Sequence, residues 1–386
     1  MSASRLFQPV QVGRMQLQRR LIQPALTRNR VDKTTRIVGD DVVQHYALRA
    51  TVPGTLLIAE ATFMTPQSAA LPNWQYTPGA WTSEQVAGWK KVVDAVHARH
   101  SFIYLQLWVI GREVDPDILA ALDPSYPYIS ASGIPVEGRS RAPRAITREE
   151  IQEYVRQFAR VAKTAVEDAG FDGIEVNAAG GYLLDEFHKV FSNSRTDEYG
   201  GSPEGRSRFT LEVMDAIADE IGEDRLGLKL MPWDTTRGTG YENEDPVPTF
   251  SYLATELRRR HPDLAWLHVI EPRWGDSWSG RNIKTQESND FLREIWRGKT
   301  YIVDGGYTRE SAIEEADADE HVLVAIGRYY TSNPDLPIRL QHNLPLTPYV
   351  RESFFAERDP AGYNTFGYAE ESKKILATLG IPVEGL

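Results

Sequence analysis

FDGIEVNAAGGYLLDEFHKVFSNSRTDEYGG, residues 171 to 201, decides how the rest of the chain is read. Ile174 and Val176 form a short apolar run behind Asp172-Gly173, which predicts a buried strand, and the run breaks at small residues before Tyr182. A polar cluster therefore hangs from the C-terminal end of a strand. In a ring of eight parallel strands with helices between them, that end collects the chemistry, because the βα loops form the open face there.

Seven further runs have the same character: 20–27, 54–62, 102–108, 225–232, 264–272, 300–307 and 321–328. Each is too short for a helix and too continuously apolar for a one-sided antiparallel strand, so parallel strands covered on both faces are expected. The segments between them have helical period and start signals. Ser83 reads as an N-cap, Thr147 with Glu150 as a capping box, and Gly170 as a stop. Eight alternations in 386 residues predict an α/β chain folded as a (β/α)8 TIM barrel, with an open doubly wound sheet as the alternative. No repeat or low-complexity linker divides residues 1–386, so one domain is expected. Residues 109–145, rich in proline, read as an insertion capping the barrel mouth after the third strand. Residues 343–386 form an aromatic-rich tail that either lines the same mouth or packs on the barrel wall.

Composition narrows the function classes. The net charge of −11, without a long block of either sign, disfavours nucleic acid and anionic membrane as partners. The absence of cysteine excludes disulfides, thiolate metal sites and a cysteine nucleophile, and fits a reducing compartment. No run approaches the length of a membrane span or signal peptide, so a cytoplasmic protein acting on a small molecule is expected. The eight histidines show neither HxH nor HExxH spacing, and no metal site is expected.

Asp304-Gly305-Gly306 ends the seventh strand and Gly327-Arg328 the eighth. Bare backbone and a guanidinium are thus placed where barrels commonly hold a phosphate. Thr27, Gln106 and Lys229 lie at other strand ends. An amide such as Gln106 offers donor and acceptor to an imide-like ring edge, and a cation stabilises negative charge on such a ring. Their convergence with a phosphate site points to a flavin or another phosphorylated heterocycle. Tyr182 has the chemistry to protonate a carbanion and Asn177 to hydrogen-bond a carbonyl, although packing and loop roles account equally well for both. Trp108, Trp74, Tyr76 and Phe291 are candidates for an aromatic substrate slot.

The segments PALTRNR, PGTLLIAEATFMTPQ, SFIYLQLWVIGR, GYLLDEF, SNSRTDEYGG, VDGGY and AIGRYYTSNPDL, in this order, resemble the Old Yellow Enzyme family of FMN-dependent ene-reductases over nearly the whole length. The resemblance implies non-covalent FMN at the C-terminal face, with NADPH or NADH as reductant. It implies that Ala25, Thr27, Ala61, Gln106 and Lys229 hold the flavin ring and Gly305, Gly306, Gly327 and Arg328 its phosphate end. It further implies Tyr182 as proton donor, with Trp108, Phe291, Tyr76 and Phe355 around the substrate. Family members often form homodimers, and no interface patch stands out in this sequence.

Four positions depart from the family pattern. Asn177 and Gly180 stand where the family usually has His followed by His or Asn, a pair that grips the substrate oxygen. Lys229 stands in place of Arg, and Phe355 in place of Tyr. The leading expectation is an FMN-dependent oxidoreductase moving hydride from NAD(P)H to an activated C=C of a small metabolite held in an atypical way. Three others stay open: a flavin-dependent isomerase, desaturase or cyclase of secondary metabolism; an inert flavin-binding scaffold; and a non-flavin barrel enzyme acting on a phosphorylated sugar.

Overall fold

The computed structural model describes residues 4–136, 139, 141–234, 237, 245–272 and 287–382. It begins with an antiparallel hairpin, β1 (Val10–Val12) and β2 (Met15–Leu17). Next come β3 (Leu21–Gln23), β4 (Leu56–Phe63) and β5 (Phe102–Trp108), a short parallel pair β6 (Ile129–Ser130) and β7 (Arg144–Ala145), then β8 (Gly173–Ala178), β9 (Leu226–Leu230), β10 (Trp266–Ile270), β11 (Tyr301–Asp304) and β12 (Val322–Ala325). Eight of these, β3, β4, β5, β8, β9, β10, β11 and β12, close into one parallel ring in chain order, each falling on one of the eight apolar runs, with β4 extending one residue past its run. The chain is therefore a (β/α)8 barrel; the open-sheet alternative is excluded by the pairing of β12 with β3.

Alternate residues of a strand point to opposite faces, so the ring is filled in layers. The lowest layer is apolar: Ile22, Ile58, Tyr104, Trp266, Ile302 and Leu323 form one buried cluster, sealed from below by Val12, Met15 and Leu17 of the hairpin. Gly227 is needed there, since a Cβ would lie 2.2 Å from the Trp266 indole nitrogen. Two residues further along the strands the layer turns polar, with Gln106 beside Glu175 and Lys229 beside His268 in the register. The next step up brings Trp108, Asn177, Met231 and Ile270 to the open end.

Helices pack outside the ring and their ends follow capping chemistry. Thr147 and Glu150 form the expected capping box on the helix Arg148–Glu167. After it, Gly170 at φ +85° turns the chain, and the Phe171 N–H returns to the Ala165 carbonyl at 3.1 Å. At the helix Ser83–His97 the cap is Thr82 instead of Ser83: Thr82 accepts from the Gln85 N–H while the Gln85 side chain bonds back, so Ser83 is already the first helical residue. Among the described residues no helix is long and apolar enough to cross a membrane.

The insertion after the third barrel strand is structured. It contains the helix Pro116–Leu122 and the β6–β7 pair, and Val114, Leu119 and Tyr128 share an apolar cluster with Trp108 and Tyr182. Its described residues do not line the cavity at the barrel mouth; they support the two aromatic residues that do. Positions 137, 138 and 140 of this insertion and 383–386 of the tail lie outside the described residues.

The tail both lines and packs. Tyr349, Phe354 and Phe355 reach the cavity, whereas Tyr363 and Tyr368 are buried against the barrel wall. Two buried arginines after β3 hold it in place. Arg28 donates to the Phe354 carbonyl at 3.0 Å and the Gly362 carbonyl at 2.8 Å, and Arg30 donates to the Ser353 carbonyl at 3.0 Å.

Candidate active site

A cavity of about 540 Å3 opens at the C-terminal end of the ring. It is lined by Ala25, Thr27, Ala61, Gln106, Lys229, Gly306, Gly327 and Arg328, together with Trp108, Asn177, Tyr182 and Phe355, so residues from seven barrel segments and the tail converge on one space. Ala61 faces it because the register of β4 against β5 shifts between Ala59 and Thr62. Three residues named from the sequence are not among the described lining residues. Gly305, at φ +122°, is packed against Glu271, and the next residue presents its backbone instead. Tyr76 is engaged through its carbonyl by the Val31 N–H at 3.2 Å, and Phe291 packs on the outer core from the helix Asp290–Ile295. Trp74 and Phe355 form the aromatic wall instead: Phe355 meets Trp74 edge-on at 4.6 Å, Trp74 meets Trp108 at 6.4 Å, and Tyr182 stands at 84° to Trp108 at 4.6 Å.

The floor of the cavity is a buried polar chain that the sequence reading missed. Gln106 Nε2 donates to Glu175 Oε1 at 2.7 Å, and the other Glu175 oxygen is met by Trp266 Nε1 at 3.0 Å and His268 Nδ1 at 2.8 Å. His268 Nε2 stands 3.6 Å from Asp304, whose Oδ2 also receives Lys229 Nζ at 3.2 Å. The burial of Glu175 would raise its pKa, but His268, Lys229 and Gln106 more than offset that and hold it below the usual carboxylate range. Asp304 is likewise held far below its ordinary value: Lys229 and His268 together outweigh burial. Because Glu175 engages the Gln106 amide nitrogen, the Gln106 carbonyl oxygen is the group left to accept from the cavity side. Five neighbouring strands, β5, β8, β9, β10 and β11, supply these residues, a pattern that appears only once strand order and register are known.

Tyr182 leads into the helix Leu183–His188 from a turn in which Gly180 and Gly181 both have φ +75°. Asp185 anchors that turn by accepting from the Gly181 N–H at 2.8 Å, and Lys189 holds Asp185 at 3.2 Å. Burial pushes the Tyr182 phenol up to about 12, opposed chiefly by Arg237, so the hydroxyl keeps its proton at neutral pH. Asn177 Oδ1 accepts from the Ala179 N–H at 3.2 Å, which leaves its amide nitrogen as the donor it can offer.

The end of the cavity near β11 and β12 suits a phosphate-bearing group. Gly306 has φ +86°, and a Cβ there would lie 3.2 Å from the Arg328 guanidinium, so glycine keeps backbone and guanidinium open to a ligand together. Arg328 lies 5.8 Å from the Tyr349 ring, and no carboxylate pairs with it among the described residues. A cradle of this kind, an acceptor and cation at the opposite end, and flat aromatic walls between them fit FMN in charge and in shape.

Comparison with known proteins gives the same direction. The model of the NADH:flavin oxidoreductase / NADH oxidase family matches residues 5–347. The chain is 40% identical over 377 residues to chanoclavine-I aldehyde reductase of Penicillium roqueforti, covering 97% of this chain and 99% of that one. It is also 40% identical over 378 residues to a probable inactive reductase of Epichloe festucae var. lolii, covering 96% and 97%. Among solved structures, Old Yellow Enzyme from a Pichia species superposes with a TM-score of 0.85 at 36% identity, covering 95% of this chain and 94% of that one.

Proposed function

The chain belongs to the NADH:flavin oxidoreductase / NADH oxidase family, the Old Yellow Enzyme group, and on that premise we propose that it reduces the activated C=C bond of a small α,β-unsaturated carbonyl compound. It is an FMN-dependent oxidoreductase drawing on NAD(P)H. FMN, when bound, supplies the hydride. Ala25, Thr27, Ala61, Gln106 and Lys229 would hold its ring, and Gly306, Gly327 and Arg328 its phosphate end. An aldehyde or ketone is favoured because the Penicillium roqueforti relative is named for an aldehyde.

The observation that carries the reading is Tyr182, a buried phenol kept neutral beside Trp108 in the same cavity as Gln106 and Lys229. A neutral phenol at that place donates a proton to the carbon next to the carbonyl as the other alkene carbon gains hydride. Lys229 is partnered by Asp304 and so stays fixed at the floor, where it balances negative charge on whatever lies above it. Trp74, Trp108 and Phe355 exclude water and hold a flat substrate against the floor. The Asn177 amide adds a neutral donor for the substrate oxygen. The whole chain is read as one catalytic unit.

The experiment is product analysis with FMN-loaded protein, NADPH and cinnamaldehyde in deuterated water. The reading expects one saturated aldehyde formed per NADPH consumed, with deuterium on the carbon next to the carbonyl. Oxidation of NADPH without saturated product overturns it. A second reading is a redox-neutral isomerisation or cyclisation, and product formation without net NADPH consumption would select it.

A further inference from the structure

The turn after β8 leaves an opening that a side chain from a distant loop fills. A Cβ placed on Gly180 would have the Tyr182 ring at 3.3 Å and the Arg237 guanidinium at 3.8 Å as its neighbours. Arg237 donates through Nη1 to the Gly180 carbonyl at 2.8 Å and lies over the Tyr182 ring at 4.7 Å. Its backbone is tied down as well, since the Arg237 carbonyl accepts from Arg112 at 3.1 Å. The side chain is 32% exposed, with the Glu113 carboxylate 4.0 Å from its Nε, and it lines the same cavity as Asn177 and Tyr182. A guanidinium carries five N–H donors in a fixed fork, so it can serve the Gly180 carbonyl and still present its positive charge to the cavity it lines.

The neighbouring cations of the cavity are committed elsewhere. Lys229 is paired with Asp304, and Arg28 is bound to carbonyls of the tail. Among the described residues, Arg237 is the cation in place at the Tyr182 end. Reduction of a conjugated carbonyl moves negative charge onto its oxygen, and a fixed cation within reach of that oxygen stabilises the charge more than a neutral amide does.

We propose that Arg237 is a substrate-binding residue: its guanidinium grips the carbonyl oxygen of an α,β-unsaturated aldehyde or ketone beside Tyr182, and binds a carboxylate in the same place. The proposal deepens the ene-reductase reading and rests on it for the reacting substrate, whereas the carboxylate site stands without it. In the balanced reaction, hydride adds to the far alkene carbon, the π electrons move onto the carbonyl oxygen held by Arg237, and Tyr182 returns a proton to the near carbon. Solvent then reprotonates Tyr182.

The test compares wild type with Arg237→Gln and Arg237→Lys, each loaded with FMN, by titrating the oxidised protein with benzoate and, separately, with benzyl alcohol. Arg237→Gln should weaken benzoate binding 10-fold or more and change benzyl alcohol binding less than threefold, with Arg237→Lys in between. Glu113→Gln, which removes the carboxylate near the guanidinium, should tighten benzoate about threefold and decides the matter if Arg237→Gln fails to fold. With cinnamaldehyde, kcat/KM should fall roughly 100-fold or more in Arg237→Gln. Benzoate affinity unchanged within twofold in a folded, flavin-loaded Arg237→Gln overturns the proposal. If benzoate binding depends on Arg237 but wild type reduces no enal, the ene-reductase reading falls and the oxyanion site remains.

Discussion

Replacing Asp304 with asparagine removes a carboxylate 3.2 Å from Lys229 Nζ and 3.6 Å from His268 Nε2. Two unit charges at that first distance attract by about 5 kcal/mol at an effective dielectric constant near 20. Breaking a buried pair by deleting one partner costs about 3–5 kcal/mol, because the other charge is stranded. The protein without flavin should therefore lose about 3–5 kcal/mol of stability. The pH dependence has a definite sign. Asp304 is depressed below its ordinary 3.8, so its contribution is present above that value and is lost only as the pH falls through the lower folded one. The variant should thus be weaker than wild type across pH 5 to 8, with the gap closing only in strong acid. In the flavin-loaded protein the change has a second consequence. Asp304 lines the cavity, and a charge about 10 Å away interacts with it by roughly 1.7 kcal/mol. Negative charge gained on reduction should be favoured by that amount once the carboxylate is gone. For a two-electron couple about 1.4 kcal/mol is 30 mV, so the midpoint potential should rise by about 30–40 mV. Urea denaturation of the flavin-free protein and equilibration of the holoprotein with a reference dye read the two effects. A potential that stays put or falls, or a variant as stable as wild type, would refute the role given to this pair.

Further predictions concern separate parts of the molecule. Burial lifts Glu60 from 4.5 to about 7 against the opposing Arg28. The stability its protonated form contributes is complete below pH 4.5 and lost as the pH rises through 7, a swing of roughly 3 kcal/mol. Glu60→Gln should therefore gain on wild type between pH 5 and 8 in urea denaturation, and a pH-independent difference contradicts this. Tyr182→Phe should lower the rate of saturated-product formation roughly 100-fold or more, measured by chromatography with an enal substrate; a loss under threefold would place the proton donor elsewhere. Arg28→Met strands the Phe354 and Gly362 carbonyls and should cost about 2–4 kcal/mol in thermal or chemical unfolding. Because the tail brings Phe355 to the cavity, the same variant should raise KM for an aromatic enal, and an unchanged KM would show that the tail does not shape the slot.

The barrel strands were legible because a strand covered on both faces is a continuous apolar run, and eight such runs left little freedom in architecture. The β1–β2 hairpin was not, since three-residue strands show no period. Thr82 and Ser83 are adjacent cap formers, and the start of the helical turn selects between them. Candidate cofactor residues such as Gln106 and Lys229 stand toward strand ends, where position alone suggests a role. Glu175 and His268 lie inside apolar runs, and only the register of β8, β9 and β10 brings them into one polar layer. Asp304 read only as the end of the seventh strand, because its partner Lys229 is 75 residues away. Arg237 carries no local signal at all: what marks it is the space beside Gly180, which exists only in three dimensions. Tyr76 and Phe291 were named for their ring chemistry, but the backbone turns Trp74 and Phe355 to the cavity in their stead.

The most direct measurement follows flavin absorbance under anaerobic conditions through both half-reactions. FMN-loaded protein is mixed first with NADPH and then with cinnamaldehyde. The cavity as described predicts loss of the yellow absorbance on the first addition and its return on the second, at a rate that falls in Tyr182→Phe. A protein that takes up no FMN, or one whose reduced flavin is reoxidised by no enal, enone or nitroalkene, would contradict the assignment of this cavity to ene reduction.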